Sequence, residues 1–260
     1  MSDRTRLRLF IPATAVLAVF MLRAVVGLPG FGRYPGPYGD LLNARGVAER
    51  HLTNLVSAVN FDYRGLDTLG EEFILFAAVT GVVLLLRVQP GEAENLEEKA
   101  TVPGREWRDP EEAVQSVSFV LVGLLALFGF YIVLHAQLTP GGGFQGGAIT
   151  GTASLLIYLG YDYHRYHRLT RKAVADAAEA IGAGGYAVVG IACLVAGGSF
   201  LQNILPLGQT GTLLSSGTIL VINFCVGVEV AAGFALLFLE FTKEIHRTGD
   251  RPAPSEKPEP

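Results

Sequence analysis

"INFCVGVEVAAGFALLF", Ile222 to Phe238, is apolar apart from Asn223 near its start and Glu229 near its middle. With its flanks it forms a block of more than 20 residues, Thr218 to Glu240, long enough to cross a hydrocarbon layer of about 30 Å as a helix. An ionised carboxylate at that depth costs roughly 2.5–3.5 kcal/mol on insertion scales, so it must meet a partner, a wet cavity or a proton. The alternative is a neutral Glu229 hydrogen-bonded for structural reasons.

The same reading extends along the chain. Only 17% of its 260 residues are charged, below the roughly 25% of soluble domains. Its apolar residues fall in long blocks, not at core-forming periods. The pattern predicts an all-α fold: a polytopic membrane helical bundle of six transmembrane helices. The expected spans are about Leu9–Leu28, Leu66–Leu86, Ser116–Gln137, Gly146–Tyr161, Ala178–Ser199 and Thr218–Glu240. The first has a basic start but no small-residue cleavage site after it, so it is expected to stay as an anchor.

With the N-terminus inside, fifteen of the 20 Lys and Arg residues fall on the inner side. The two later outer loops hold none. Both termini are therefore expected in the cytoplasm, with the protein multi-pass in the cell (plasma) membrane. The hydrophilic, acidic, Pro-containing stretch near 89–113 divides the chain. Residues 1–88 form a two-span module, 89–113 a cytoplasmic linker, 114–247 a four-span module, and 248–260 a disordered tail. Between the first two spans, Leu41 to Val59 places apolar residues on one face, as in a short amphipathic helix.

Several function classes are excluded by composition. There is no basic patch interleaved with aromatics, so no nucleic-acid partner is expected. Cys193 and Cys225 lie inside apolar blocks and are too few for a four-thiolate zinc or iron–sulfur site. No nucleophile–base pair, metal-ligand set or cofactor motif occurs, so no enzyme, metal or cofactor is expected.

Other charges also sit at depth. The apolar run Phe73–Leu86 has 14 residues, about 21 Å, too short to cross. The second span must extend back through "GLDTLGEE", carrying Glu71 and Glu72 below the outer surface. Arg23 lies at a matching depth in the first span, which allows a pair with Glu71 or Glu72. Snorkelling of Arg23 to the headgroups is the alternative. Asp176 and Glu179 read as ordinary acidic residues at a helix N-terminus. His135, near the outer end of the third span, suits either a helix C-terminus or proton transfer.

"HAQLTPGGGFQGGAITG", His135 to Gly151, joins the third and fourth spans. Pro140 stops one helix, and Gly141, Gly142 and Gly143 permit a sharp reversal. Gly147 and Gly151 form a G-x-x-x-G pair that lets a neighbouring helix approach closely. "PGGGFQGG", which includes Gln145, after a His-bearing helix resembles the signature of B-type subunits of Mrp-family multisubunit sodium/proton antiporters. Related subunits occur in membrane-bound hydrogenases and similar ion-pumping redox complexes.

"SSGTILVINFCVGVEVAAGFALLF" resembles the last helix of that subunit. The family often has a second His two residues after the first; Gln137 stands there, which weakens a two-histidine relay. "VNFDYRGLDTLGEEFILFAAVTGVVLLLR" is similar to the end of the large A-type subunit, a separate small subunit in the hydrogenases. Asp67 and Glu71 fall on that motif, and the resemblance implies an ion path through the Glu.

The resemblance implies a membrane subunit of a multisubunit cation (sodium)/proton antiporter. Glu71, Glu229, Asp67, Glu72 and His135 are the ion-path candidates. Arg23, Asn223, Pro140, Gly141, Gly142, Gly143 and Gln145 support them. The expected partners are the other membrane subunits, the lipid bilayer, sodium ions and protons. The alternatives are a subunit of a redox-driven pump and a purely structural packing subunit.

Overall fold

Glycine sets how the apolar rods meet. The structure is a computed structural model that describes residues 3–28, 30, 32, 36–87, 111–161 and 163–249. Most of the expected linker and tail lies outside the described residues. All elements among the described residues are helical: α1 Asp3–Val26, α2 Pro37–Arg50, α3 Leu55–Ala58, a π-helical turn Val59–Tyr63, α4 Gly65–Leu85, α5 Glu112–Leu134, α6 Gly143–Gly160, α7 Tyr163–Leu169, α8 Lys172–Gly197 and α9 Thr218–Gly249.

Five of these are long and apolar enough to cross a membrane: α1, α4, α5, α8 and α9. The rod expected as the fourth span is α6. It is not among the five, because five of its 18 residues are glycine and it carries Gln145, Thr150, Thr152 and Ser154. The chain divides into two units, Met1–Leu42 and Asn43–Pro260. The first contains α1, whose apolar side chains are exposed along its length.

The second unit is built around α9, which packs against α6, α8 and α4, while α5 and α6 form a hairpin. Gly143, Gly147 and Gly151 recur every fourth residue on α6 and face α9. A Cβ at these positions would stand 2.7 Å from Val226 Cβ, 2.8 Å from Val230 Cβ and 2.6 Å from Phe234 Cβ respectively. The close approach expected at Gly147 and Gly151 is therefore made, and α9 is the partner. Gly146 turns the other way, where a Cβ would meet Val133 Cγ2 of α5 at 2.6 Å. On α8, a Cβ at Gly182 would stand 2.6 Å from Glu229 Cβ. Helices in lipid associate by such close packing, since lipid tails are as apolar as the side chains.

The reversal between α5 and α6 works as its residues predict. Gly141 takes a φ of 147°, open to glycine, and a Cβ there would press on Ile132 Cγ2 at 2.9 Å. The single amphipathic helix expected over Leu41–Val59 is instead broken. His51 adopts a left-handed φ of 51°, and Asn54 starts a new helix by accepting from Val56 N at 3.2 Å. The break has a use. Asn54 Nδ2 donates to Ala136 O at 2.7 Å and Thr139 O at 3.0 Å, and Thr53 N and Asn54 N both donate to Gln137 O at 3.1 Å. The segment clasps the α5–α6 turn. Tyr186 on α8 donates to Gly65 O at 2.8 Å and ties the start of α4 to the bundle.

The glycine contacts predict two opposite shifts for the detergent-solubilised protein. Gly147→Ala overpacks the α6–α9 contact and should lower stability by about 1–3 kcal/mol. Gly81→Ala on α4, where a Cβ meets nothing within 4 Å, should raise it by about 0.5–1 kcal/mol. Thermal denaturation of both variants checks the contrast, and equal shifts would refute the packing. Asn54→Ala strips donors from the buried turn carbonyls and should cost about 1–3 kcal/mol in the same assay.

Candidate functional site

Three helices each send one carboxylate into the interior of the second unit. Glu72 comes from α4, Glu179 from α8 and Glu229 from α9, exposed by 2%, 5% and 1% respectively. The glycines make room for them. Gly182 lies against the Glu229 backbone and Cβ, so α8 and α9 are nearly in contact at that level. One turn further along α9, a Cβ at Gly233 would stand 3.4 Å from Glu179 Oε1. The Glu72 and Glu229 carboxyl groups face one another, and Glu179 and Glu229 lie within electrostatic reach.

The cluster lacks donors. Apart from the contact between the Glu72 and Glu229 carboxyls themselves, Glu72 Oε2, Glu179 Oε1 and both Glu229 oxygens are buried without a hydrogen-bond partner among the described residues. Effective desolvation costs several kcal/mol per ion inside a protein, and facing carboxylates also repel. Such a group relieves the cost by holding a proton or a cation between its members. No grouping of three or more His, Cys, Asp or Glu with metal-site geometry occurs among the described residues.

Beyond Glu179 the charge pattern changes. Glu240 on α9 is buried, and its Oε1 accepts from Lys172 Nζ at 2.8 Å and from Lys243 Nζ at 3.0 Å. Lys172 also lies 3.9 Å from the half-exposed Asp176, and its charge reaches Glu179. A carboxylate row thus runs from Glu72 through Glu229 and Glu179 toward a cluster with two ammonium groups.

The other residues singled out by sequence lie elsewhere. Glu71 is exposed on the outer surface of α4, next to Phe73 and Ile74, which are exposed too. Asp67 is exposed and pairs with Arg64. Arg23 is exposed in the last turn of α1, in the other unit. His135 is half-buried; its Nδ1 donates to Tyr131 O at 3.0 Å and its ring stacks on Tyr131 at 3.9 Å. Asn223 latches the glycine turn: its Oδ1 accepts from Gly143 N at 3.0 Å, while its Nδ2 donates to Ile219 O at 3.2 Å. Pro140 and Gln145 are exposed, Gly141 is half-buried, and Gly142 and Gly143 are buried. Gln137 is buried, and its Nε2 donates to Leu213 O at 2.6 Å.

Sequence reasoning missed Glu179 and Glu240 as members of the row. Glu179 reads as an N-terminal acid if the helix starts near Ala178. The helix starts at Lys172, which carries Glu179 two turns inward. The available signal was its setting, a run of Ala and Gly from Ala177 to Gly185 broken only by Glu179 and Ile181.

Comparison with known proteins places this architecture. The family described as "Domain related to MnhB subunit of Na+/H+ antiporter" matches residues 113–236. An uncharacterized protein of Methanocaldococcus jannaschii is 30% identical over 208 residues, 73% of this chain and 79% of that protein. The B-type Na(+)/H(+) antiporter protein of Bacillus subtilis is 42% identical over 52 residues, covering 20% of this chain and 34% of that one.

Two solved assemblies contain similar chains. One is the membrane-bound sulfane sulfur reductase, an archaeal respiratory membrane complex. The match has a TM-score of 0.63 and 29% identity over 91% of this chain and 98% of that one. The other is the Mrp complex from a Dietzia species, with a TM-score of 0.66 over 100% of this chain and 27% of that one. At 24% identity the second likeness concerns the fold. The chain is a multi-pass protein of the cell membrane, and its residues 113–236 belong to the family of domains related to the MnhB subunit of Na+/H+ antiporters.

Proposed function

We propose that the chain is a membrane subunit of a multisubunit cation (sodium)/proton antiporter, and that its buried carboxylates form part of the ion path. The observation that carries the reading is the meeting of Glu72 and Glu229 in the bundle interior, both almost fully buried and with no Lys, Arg or His side chain hydrogen-bonded to them among the described residues. Such a pair accepts one proton readily, gives it up when a cation or a neighbouring base arrives, and makes or breaks no other bond. Glu71, one residue away but facing outward, suits contact with a neighbouring subunit that extends the path.

The membrane arrangement belongs to the same proposal. The α6 helix serves as the sixth span, sheltered by α5 and α9 where its glycines would not hold it in lipid alone. Both termini face the cytoplasm, as the distribution of Lys and Arg favours. Residues 1–88 act as a fused counterpart of the end of the antiporter A-type subunit, joined by a cytoplasmic linker to the B-type module. The glycine turn and Asn223 hold the hairpin to α9, while His135 caps α5.

A second reading has its own support. The similar chain in the sulfane sulfur reductase complex is matched over almost its whole length, which favours a redox-driven assembly with the same membrane module. Cys193 and Cys225 are both free, so cluster-bearing subunits would be separate proteins. Purifying the intact assembly decides between the two. Co-purifying cysteine-rich cluster proteins mean a redox pump, and their absence with other antiporter subunits present means an antiporter.

Within that assembly, Glu72→Gln and Glu229→Gln should each lower proton-coupled transport in everted vesicles by about tenfold or more, ~1.4 kcal/mol of barrier or greater. The complex should still form, because Gln keeps the size of a neutral Glu. Wild-type transport in the double variant would leave only a packing role. Glu71→Gln should impair transport without changing the stability of this chain alone, since its side chain makes no buried contact.

A further inference from the structure

We propose that Glu179 is a third proton-carrying group in series with the Glu72–Glu229 pair, and that the Lys172 ammonium gates it by moving between Glu240 and Glu179. The proposal rests on the ion-path reading and adds the direction of the path and its control.

Glu179 is buried, and its Oε1 has no hydrogen-bond partner among the described residues. The groups facing it are Glu229, Asp176 and Lys172, with Gly233 and Gly182 providing space between α8 and α9. Glu229 in turn faces Glu72 and has Cys225 within electrostatic reach, and Glu72 has Tyr186 and the outward-pointing Glu71 within electrostatic reach. The row therefore links the α4 side of the bundle to the Lys172 end of α8 with no Lys or Arg between its members among the described residues.

Lys172 is free to move because Glu240 does not depend on it. Oε1 of Glu240 already accepts from Lys243 at 3.0 Å, so releasing Lys172 leaves a buried ion pair intact. Lys172 lies seven residues before Glu179 on α8, about 10 Å along the axis, a span that the two extended side chains can close together. Two ammonium groups and one carboxylate leave one surplus positive charge at this end. That surplus compensates one ionised carboxylate in the row. The half-exposed Asp176, 3.9 Å from Lys172, is screened by solvent and competes weakly.

The step balances with protons alone. The Glu179 O–H bond breaks, and its proton bonds to an oxygen of ionised Glu229. Glu179 becomes a carboxylate and draws Lys172 from Glu240. A proton arriving from the Lys172 end restores neutral Glu179 and sends the ammonium back. The charge on the row never exceeds what the lysine cluster can offset.

The test uses the intact complex with Glu179→Gln, Lys172→Met and Lys172→Arg, reading transport in vesicles and the infrared carboxylic-acid C=O bands of the purified assembly. Glu179→Gln should remove one C=O band and lower transport more than about tenfold. Lys172→Met should also lower transport and shift the pH at which that band appears, and Lys172→Arg should restore both. The band is read in assembled protein whether or not transport survives. An unchanged band pattern in Glu179→Gln, or wild-type transport in both Glu179→Gln and Lys172→Met, overturns the proposal. If those two variants transport normally while Glu229→Gln does not, only this inference fails; if Glu229→Gln and Glu72→Gln also transport normally, the ion-path reading fails with it.

Discussion

The contact of Gly182 with the backbone of Glu229 is the constraint on which the interior depends. It brings α8 against α9 at the level of the central carboxylate, leaving no width for a water layer between the two backbones. A larger side chain there would part the helices and open the buried Glu229 to its surroundings. On the opposite face of α9, Gly143, Gly147 and Gly151 bring α6 equally close. The acid is thus walled on two sides by glycine-mediated contacts and faces Glu72 on the third. Packing and chemistry are inseparable here, because the residues without side chains decide the environment of those that ionise.

The legible part of the chain follows from this division. Long apolar runs identify α1, α4, α5, α8 and α9, since length and hydropathy need no knowledge of neighbours. The backward extension of α4 to Gly65 followed from counting residues against membrane thickness. The Glu71–Glu72 question was different in kind. Adjacent residues differ by about 100° around a helix, and a helix apolar on all faces carries no amphipathic signal to say which face is inside. The structure puts Glu72 inward and Glu71 outward, a rotation set by contacts with α8 and α9 that lie more than 100 residues away in sequence. Glu179 escaped for a related reason. Its depth depends on where α8 begins, and no strong cap marks Lys172 as the start.

The most conspicuous motif in the sequence has turned out to organise the bundle, while the unpartnered acids lie elsewhere. In "PGGGFQGG", Gly141 makes the reversal, Gly143 docks on Asn223, and Gly146 and Gly147 seat α6 between α5 and α9. His135 is occupied by Tyr131, through both its ring face and its Nδ1. A motif that fixes backbone geometry must be spelled out residue by residue, because each glycine answers a separate clash. A carboxylate row needs only one residue per helix, spaced by the fold, and leaves no contiguous signature.

The surfaces left open complete the physical picture. On α4, Glu71 shares an exposed stripe with Phe73, Ile74, Ala77 and Ala78. A carboxylate among apolar residues is poorly matched to lipid and well matched to a neighbouring subunit that brings a counter-charge or water. The same helix therefore has an inner acid that meets Glu229 and an outer acid one residue earlier. An ion crossing from one face of α4 to the other would pass between adjacent residues of a single turn, with no rearrangement of the backbone. The glycine contacts set the spacing of α6, α8 and α9, so such a crossing would ask only for side-chain motion.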